Sequence, residues 1–332
     1  MLYLDMENTL PDHLPAFPPD LQVRPAPEGL ARVAAFLTAA YPEHPVSEED
    51  LQRLAAMRLP DETFRRVLLE RGGEIVGLWE VGVPRMDGHA GWLSIEIAAL
   101  PTEKALAEPL LAHAEAFARA QGAEVLISRV REGGWEKPFL EAHGYAEHDR
   151  MWVSVLDLRT LDFARFAEAE ARAQTTGVQF RPLSDFGPFD EALQRRLYDL
   201  MAALLRDVPS TTPVSVWPFE VWQMRFASKL KYPEGLWLAA APDGSWVGVS
   251  ELHMPVTTRA GMLHNGLTGV LKPWRGHGLG LALKLVAARS ALERGFTHSR
   301  TGNHSVNRPM LAINDQLGFE KEAATVTMKK SV

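Results

Sequence analysis

The chain contains no cysteine. That single absence excludes disulfides, thiolate metal sites and any acyl-cysteine intermediate. Long apolar runs are missing too, none approaching the roughly eighteen residues a membrane span requires. The stretch Met1 to Asp20 is acidic and proline-rich without a basic leader, so no signal peptide is expected. Positive charge is not in excess: 35 Lys and Arg face 42 Asp and Glu, a net charge of −7, which argues against a nucleic-acid partner. What is present is globular in character, 46% hydrophobic and 23% charged, and 332 residues suffice for two ordinary domains. A cytoplasmic enzyme is expected, with neither membrane nor nucleic acid as partner. The charge is uneven. Residues 1–158 hold 14 basic and 26 acidic side chains, residues 159–332 hold 21 and 16, so the second half suits a polyanionic ligand better.

That second half carries the most informative stretch, Arg275-Gly276-His277-Gly278-Leu279-Gly280. It lies between a predicted strand, Met262 to Leu271, and a predicted amphipathic helix, about Leu279 to Glu293. Three alternating glycines leave successive backbone N–H groups uncovered. The helix N-terminus adds partial positive charge, and an arginine stands at the entrance, which is the chemistry of a pyrophosphate site. A dinucleotide fingerprint would need glycine where Leu281 stands, and an acidic residue about twenty positions on, where Arg300 and Thr301 stand. A Walker A loop would end in Gly-Lys-Ser/Thr, against Gly280-Leu281-Ala282 here. A ligand-free glycine turn would cost backbone entropy with no packing return.

The stretch resembles motif A of the GNAT superfamily of N-acetyltransferases, Arg/Gln-x-x-Gly-x-Gly/Ala after a strand, here one ending Gly269-Val270-Leu271-Lys272-Pro273-Trp274. A second landmark fits, since Asn314-Asp315-Gln316-Leu317-Gly318-Phe319 closes a helix ahead of a last strand, Ala324 to Lys329. The resemblance covers roughly Gln179 to Lys330. It implies an α/β fold with a mixed, mostly antiparallel sheet, a splayed central strand pair and flanking helices.

The chain also repeats itself. Leu21 to Pro25 answers to Val178 to Pro182, Gly73 to Glu80 answers to Gly244 to Glu251, and His143-Gly144-Tyr145 answers to Leu317-Gly318-Phe319. We expect two tandem GNAT-like units: a degenerate domain at 1–158, a linker helix within 159–176, and a cofactor-binding domain at 177–332. The first copy has Leu100-Pro101-Thr102-Glu103-Lys104-Ala105 where the second has its glycine loop, with Glu103 near the place of Arg275. It is expected to bind no acyl-CoA. In the helix after the loop, Leu281, Leu285, Ala288 and Leu292 form an apolar face that Leu279, Leu283 and Val286 widen, and Lys284, Arg289 and Arg294 are read as polar positions.

The resemblance implies acetyl-CoA (or another acyl-CoA) as cofactor and direct attack by an amine on the thioester. It places the donors that polarise the thioester carbonyl on Thr268, Gly269, Val270 and Leu271, with Val270 and Leu271 foremost. Arg275, Gly276, His277, Gly278, Leu279 and Gly280 would take the pyrophosphate. Asn303 and Asn307 would bond the pantetheine arm or orient the acceptor. Where many members carry a tyrosine general acid this chain has Asn314, which bonds the sulfur at most. A thiolate whose conjugate acid has a pKa near 8.5 is a tolerable leaving group without an acid. For the base, alternation puts Glu251 and His253 on one strand face and His264 with Gly266 and Thr268 on another. Glu251 ranks first and His264 second, although Glu251 has a counterpart, Glu80, in the copy read as inactive.

The acceptor site is expected between a helix ending Tyr198 to Arg206 and another over Trp217 to Leu230, joined through Ser210-Thr211-Thr212-Pro213. Asp207, Trp217 and Glu220 are its candidate residues, the two carboxylates for a cationic amine. The expected partner is a small-molecule or peptide amine, with the protein a monomer or homodimer. Two other readings compete, a non-catalytic acyl-CoA sensor and an aminoacyl-tRNA-dependent transferase.

Overall fold

The computed structural model describes residues 14–26, 29–59, 61–84, 89–211, 214–227 and 230–332. Most of the acidic stretch Met1 to Asp20, and Thr212-Pro213 of the acceptor loop, lie outside them, as do residues 228–229 near the end of the second acceptor helix. The chain forms two compact units, one of residues 1–149 with 325–332 and one of residues 150–324.

The first unit contains β1 (Gln22–Pro25), α1 (Leu30–Ala40), α2 (Glu48–Ala55), β2 (Phe64–Arg71), β3 (Glu74–Gly82), β4 (Trp92–Ala99), α3 (Ala107–Ala120), β5 (Val125–Arg131) and α4 (Glu136–Ala142). α2 starts at a reciprocal cap, Ser47 accepting from Asp50 N while the Asp50 carboxylate accepts from Ser47 N. β1 to β4 form an antiparallel run. β4 then pairs in parallel with β5 from Trp92↔Val125 to Ser94↔Ile127 only, and beyond that the strands part. α3 lays Leu110, Ala114 and Phe117 on the sheet against Leu69, Ile95 and Leu126.

β6 (Ala146–Asp157) carries the chain into the second unit. There follow α5 (Ala167–Gln174), β7 (Gln179–Pro182), α6 (Glu191–Arg206), α7 (Phe219–Arg225), β8 (Leu236–Ala240), β9 (Trp246–Glu251), β10 (Met254–Pro255), β11 (Met262–Asn265), β12 (Thr268–Val270), α8 (Leu279–Glu293), β13 (His298–His304), α9 (Arg308–Leu317), β14 (Glu320–Lys321) and β15 (Thr325–Ser331). β7, β8, β9 and β12 form an antiparallel sheet. β11 pairs in parallel with β13, and β13 is antiparallel to β6. α6 and α7 cover one face, packing Leu197, Leu204 and Trp222 on Leu238 and Val249, while α8 covers the other with Ala282 and Leu283 on Ala239 and Val270.

The expected boundaries at 158 and 177–332 are therefore corrected. β15 belongs to the first unit, where all seven of its residues pair with β5, and the 150–157 part of β6 belongs to the second, paired with β13. The linker helix is no free linker either. α5 packs in the second unit, with Ala173 fully buried and Glu170 paired with Arg289 of α8.

The strand read as Met262 to Leu271 is two strands. β11 ends at Asn265, and after Gly266-Leu267 the chain resumes as β12 beside β9, in a different sheet. The break comes from Glu251. Its backbone oxygen accepts from Gly266 N at 3.0 Å and its carboxylate Oε2 accepts from Leu267 N at 3.2 Å. A Cβ at position 266 would collide with that carboxylate, so a side chain there would have to displace Glu251.

Candidate active site in the second unit

The glycine loop forms as the sequence implies. After a short 3-10 turn at Lys272–Trp274, Gly276 and Gly278 adopt φ of +85° and +81°, a left-handed backbone that side-chain-bearing residues avoid. Gly278 is the N-cap of α8, with no side-chain cap, and Ala282 N makes the first helical bond to its carbonyl. The first-turn N–H groups of Leu279, Gly280 and Leu281 thus have no helical acceptor and point out of the helix end. Arg275 is held beside them, Nε donating to Val270 O at 2.8 Å and Nη2 to Asp207 Oδ2 at 3.0 Å. His277 is exposed on the same loop.

Asp207 is thereby corrected as an acceptor residue. It caps α6 and takes both Lys272 Nζ, at 2.8 Å, and Arg275. The hydrogen bond from Lys272, with Arg275 adding to it, holds its carboxyl below the usual range. A carboxylate already shared by two cations of the loop is a brace for that loop. Trp217 stacks under the Arg225 guanidinium, 4.7 Å from its ring centroid, and its carbonyl accepts from Tyr198 Oη. Glu220 lies exposed in the first turn of α7.

β12 sorts the expected carbonyl donors. Glu251 N donates to Leu267 O and Leu271 N to Val247 O, so alternate residues face β9. Leu271 is therefore not a free donor. The N–H groups of Thr268 and Val270 face the opposite way, toward the gap where β13 has parted, as Val270 O does in accepting from Arg275. Gly269 faces α6, where a Cβ would press on Leu204 at 3.2 Å.

Glu251 is 8% exposed, and its Oε1 has no hydrogen-bond partner among the described residues. Burial raises its carboxyl to about 7, the Leu267 N–H opposing that only in part. It shares the α6 face with Val249. His253 follows on that face, edge-on to Phe226, its imidazole pushed down to about 4 by burial and then by Arg294. His264 sits on β11 opposite Met254 and Arg300. It does not share a face with Thr268, because the break at Gly266-Leu267 shifts the alternation by one. Thr268 Oγ1 instead meets Ser250 Oγ at 3.0 Å and Asn265 Nδ2 at 3.4 Å.

Asn303 and Asn314 come together, Asn314 Nδ2 donating to Asn303 Oδ1 at 2.6 Å across β13 and α9. Asn307 is the N-cap of α9, its side chain accepting from Met310 N at 3.4 Å. Sequence reasoning missed Lys284, which was read as a polar position and is 5% exposed, its Nζ donating to Asn265 Oδ1. The signal was there: apolar residues nearly all round a helix mark it as buried, and leave its lysine little choice.

In the first unit the matching turn, Pro101–Leu106, is 3-10 helix without glycine, and Glu103 pairs with Arg71.

No family model matches the chain, and no curated protein matches it. Solved structures do. A GCN5-related N-acetyltransferase from Sphaerobacter thermophilus superposes with a TM-score of 0.70 at 21% identity, over 95% of this chain and 97% of that one. A tandem GNAT protein from the clavulanic acid biosynthesis pathway gives 0.70 at 20% identity, over 94% and 98%. A GNAT-family acetyltransferase from Colwellia psychrerythraea gives 0.58 at 12% identity, over 94% and 100%.

Proposed function

We propose, for a chain that has the fold of the GCN5-related N-acetyltransferases, that its second unit transfers an acyl group, acetyl by default, from acyl-CoA to an amine. One observation carries this: left-handed Gly276 and Gly278 feed the open N-terminus of α8 beside the outward N–H groups of Thr268 and Val270. The loop from Arg275 to Gly280 holds the pyrophosphate through backbone N–H groups and the braced guanidinium. Thr268 and Val270 donate to the thioester carbonyl and the amide groups behind it. The thioester supplies the acyl carbon, and no residue of the chain becomes acylated.

Glu251 takes the proton from the attacking amine, directly or through water. A carboxylate poised near 7 suits that duty at neutral pH. His264 is the second candidate base. The Asn303–Asn314 pair orients the pantetheine arm and bonds the departing sulfur, which needs no protonation to leave. The amine approaches from the α6–α7 face, where Trp217 and Glu220 lie and Glu251 points. The first unit binds no acyl-CoA and serves as scaffold. The protein works in the cytoplasm as a monomer or homodimer.

The test is thiol release from acetyl-CoA over classes of amine, together with calorimetric binding. One acetyl-CoA bound per chain and amine-dependent thiol release are expected, both lost in Gly278→Glu. Binding without release on every amine would replace this reading with the acyl-CoA sensor.

A further inference from the structure

Lys284 has no part in that reaction as described, yet its position on α8 is unfavourable. Leu283 and Leu285 beside it are fully buried, and it is itself 5% exposed. Its Nζ donates to a neutral amide, Asn265 Oδ1, with the Phe319 ring centroid at 5.1 Å. Among the described residues no carboxylate pairs with the ammonium, and burial pulls it down to about 7. An ammonium buried without a counter-ion destabilises a fold relative to an apolar side chain of the same length. Nor does a ligand explain it. The free space beside Lys284, lined also by Ser250 and Ser299, is about 10 Å³, room for one water. What the lysine holds is Asn265.

Asn265 is the hub of the strand break. It is 7% exposed and the last residue of β11 to pair with β13. Its carbonyl accepts from Thr301 Oγ1 of β13 at 3.1 Å. Its Nδ2 donates to Glu251 O, at the end of β9, at 2.8 Å, and at a longer 3.4 Å to Thr268 Oγ1, at the start of β12. Residues 265–267 thereby grip Glu251 at every polar atom but one. Glu251 O accepts from Asn265 Nδ2 and Gly266 N, Glu251 N donates to Leu267 O, and Oε2 accepts from Leu267 N. Oε1 alone has no partner among the described residues.

We propose that Asn265 and Lys284 are positioning residues for acyl transfer, Lys284 holding the Asn265 amide and that amide holding Glu251 and Thr268. This rests on the acyl-transfer reading given above, in which Glu251 takes the amine proton and the Thr268 N–H meets the thioester carbonyl. An amide has one accepting end and one donating end. The buried Oδ1 needs a donor of its own if Nδ2 is to stay turned to Glu251 O. An ammonium serves this better than a hydroxyl. It only donates, so it cannot draw Nδ2 to itself, and its charge polarises the amide and strengthens the N–H bonds at the far end. One side chain thus sets both the base and a carbonyl donor, and a shift of the amide moves both.

Two variants of the full chain test this by thiol release, calorimetric acetyl-CoA binding and thermal melting. Lys284→Met removes the ammonium and keeps an unbranched apolar side chain. It should lower kcat about 10-fold or more, as misplaced reacting groups do, hold the acetyl-CoA Kd within about twofold, and melt no lower than the wild type. Asn265→Asp keeps an acceptor for Lys284 and loses only the donations to Glu251 O and Thr268 Oγ1. It should show the same fall in kcat at unchanged acetyl-CoA Kd. Turnover within about twofold of the wild type in either variant overturns the proposal and leaves acyl transfer standing. A Lys284→Met protein that loses stability in step with turnover makes the lysine a brace of the fold and overturns its positioning role. Should Asn265→Asp fail to fold, Lys284→Met decides by itself. A wild type that releases no thiol from acetyl-CoA on any amine removes the parent reading, and this one with it.

Discussion

Glu80 in the first unit and Glu251 in the second hold the same place on their sheets. Each lies three residues after a glycine, Gly77 or Gly248, that faces the last strand before the helix, at Ala99 or Val270. On the neighbouring strand the resemblance ends. Glu80 faces Arg66, 5% exposed, and forms an ion pair with it, whereas Glu251 faces fully buried Leu236 and has no cation partner among the described residues. The same substitution of neighbours recurs at the loops, where the first unit answers Gly276 and Gly278 with a 3-10 turn whose Glu103 is tied to Arg71. Retaining the glutamate in both copies is therefore no sign of one shared role. The residue across the strand makes it an ion-pair partner in one unit and leaves its carboxyl buried and raised in the other.

The largest effect that can break this comparison is on turnover. Glu251→Gln should lower kcat about 100-fold with acyl-CoA affinity unchanged. The wild-type rate should climb as pH rises through about 7, where the carboxyl ionises, and the variant should show no such rise. Stability moves the other way. Because the folded carboxyl titrates near 7 and the unfolded one near 4.5, the folded state binds the extra proton between them, so stability falls as pH rises through that window. Glu251→Gln should then melt above the wild type at pH 8 and match it near pH 4. A Glu251→Gln enzyme at full kcat across pH removes Glu251 from the reaction.

Recreating the second unit's arrangement in the first gives an intermediate effect. Arg66→Leu leaves Glu80 without its cation and should cost about 3 kcal/mol in denaturant unfolding, as loss of one partner of a largely buried pair does. It should leave acyl-CoA binding untouched, and a loss of binding would place a ligand in the first unit. The smallest effect concerns Asn307. Removal of its cap in Asn307→Ala should cost about 1 kcal/mol of stability and change the acyl-CoA Kd less than about twofold; a tenfold weakening would make it a cofactor ligand instead.

Local features were legible in the sequence. α8 runs where residue patterning put it, Leu279–Glu293, directly after the alternating glycines. What escaped was set by partners distant along the chain. The break in the strand from Met262 to Leu271 depends on the Glu251 side chain, fifteen residues before Gly266. Asp207 looked like bait for an amine because its two cations, Lys272 and Arg275, come from a loop far downstream. The closing strand was recognised, but pairing with β5 rather than with its own half follows from no local pattern.

That last strand bears on how the protein is made. β5 has no partner on its far side within residues 1–149, and residues 325–331 fill that edge in the first unit. Translation runs from the N-terminus, so the first unit must wait, with an open strand edge, until the whole second unit has been synthesised. A ribosome stalled anywhere between residues 150 and 324 holds a half-built sheet that is prone to pair with the wrong chain. Cutting the chain at 158 to study the halves would create the same defect, so activity is to be dissected by point substitution in the full chain.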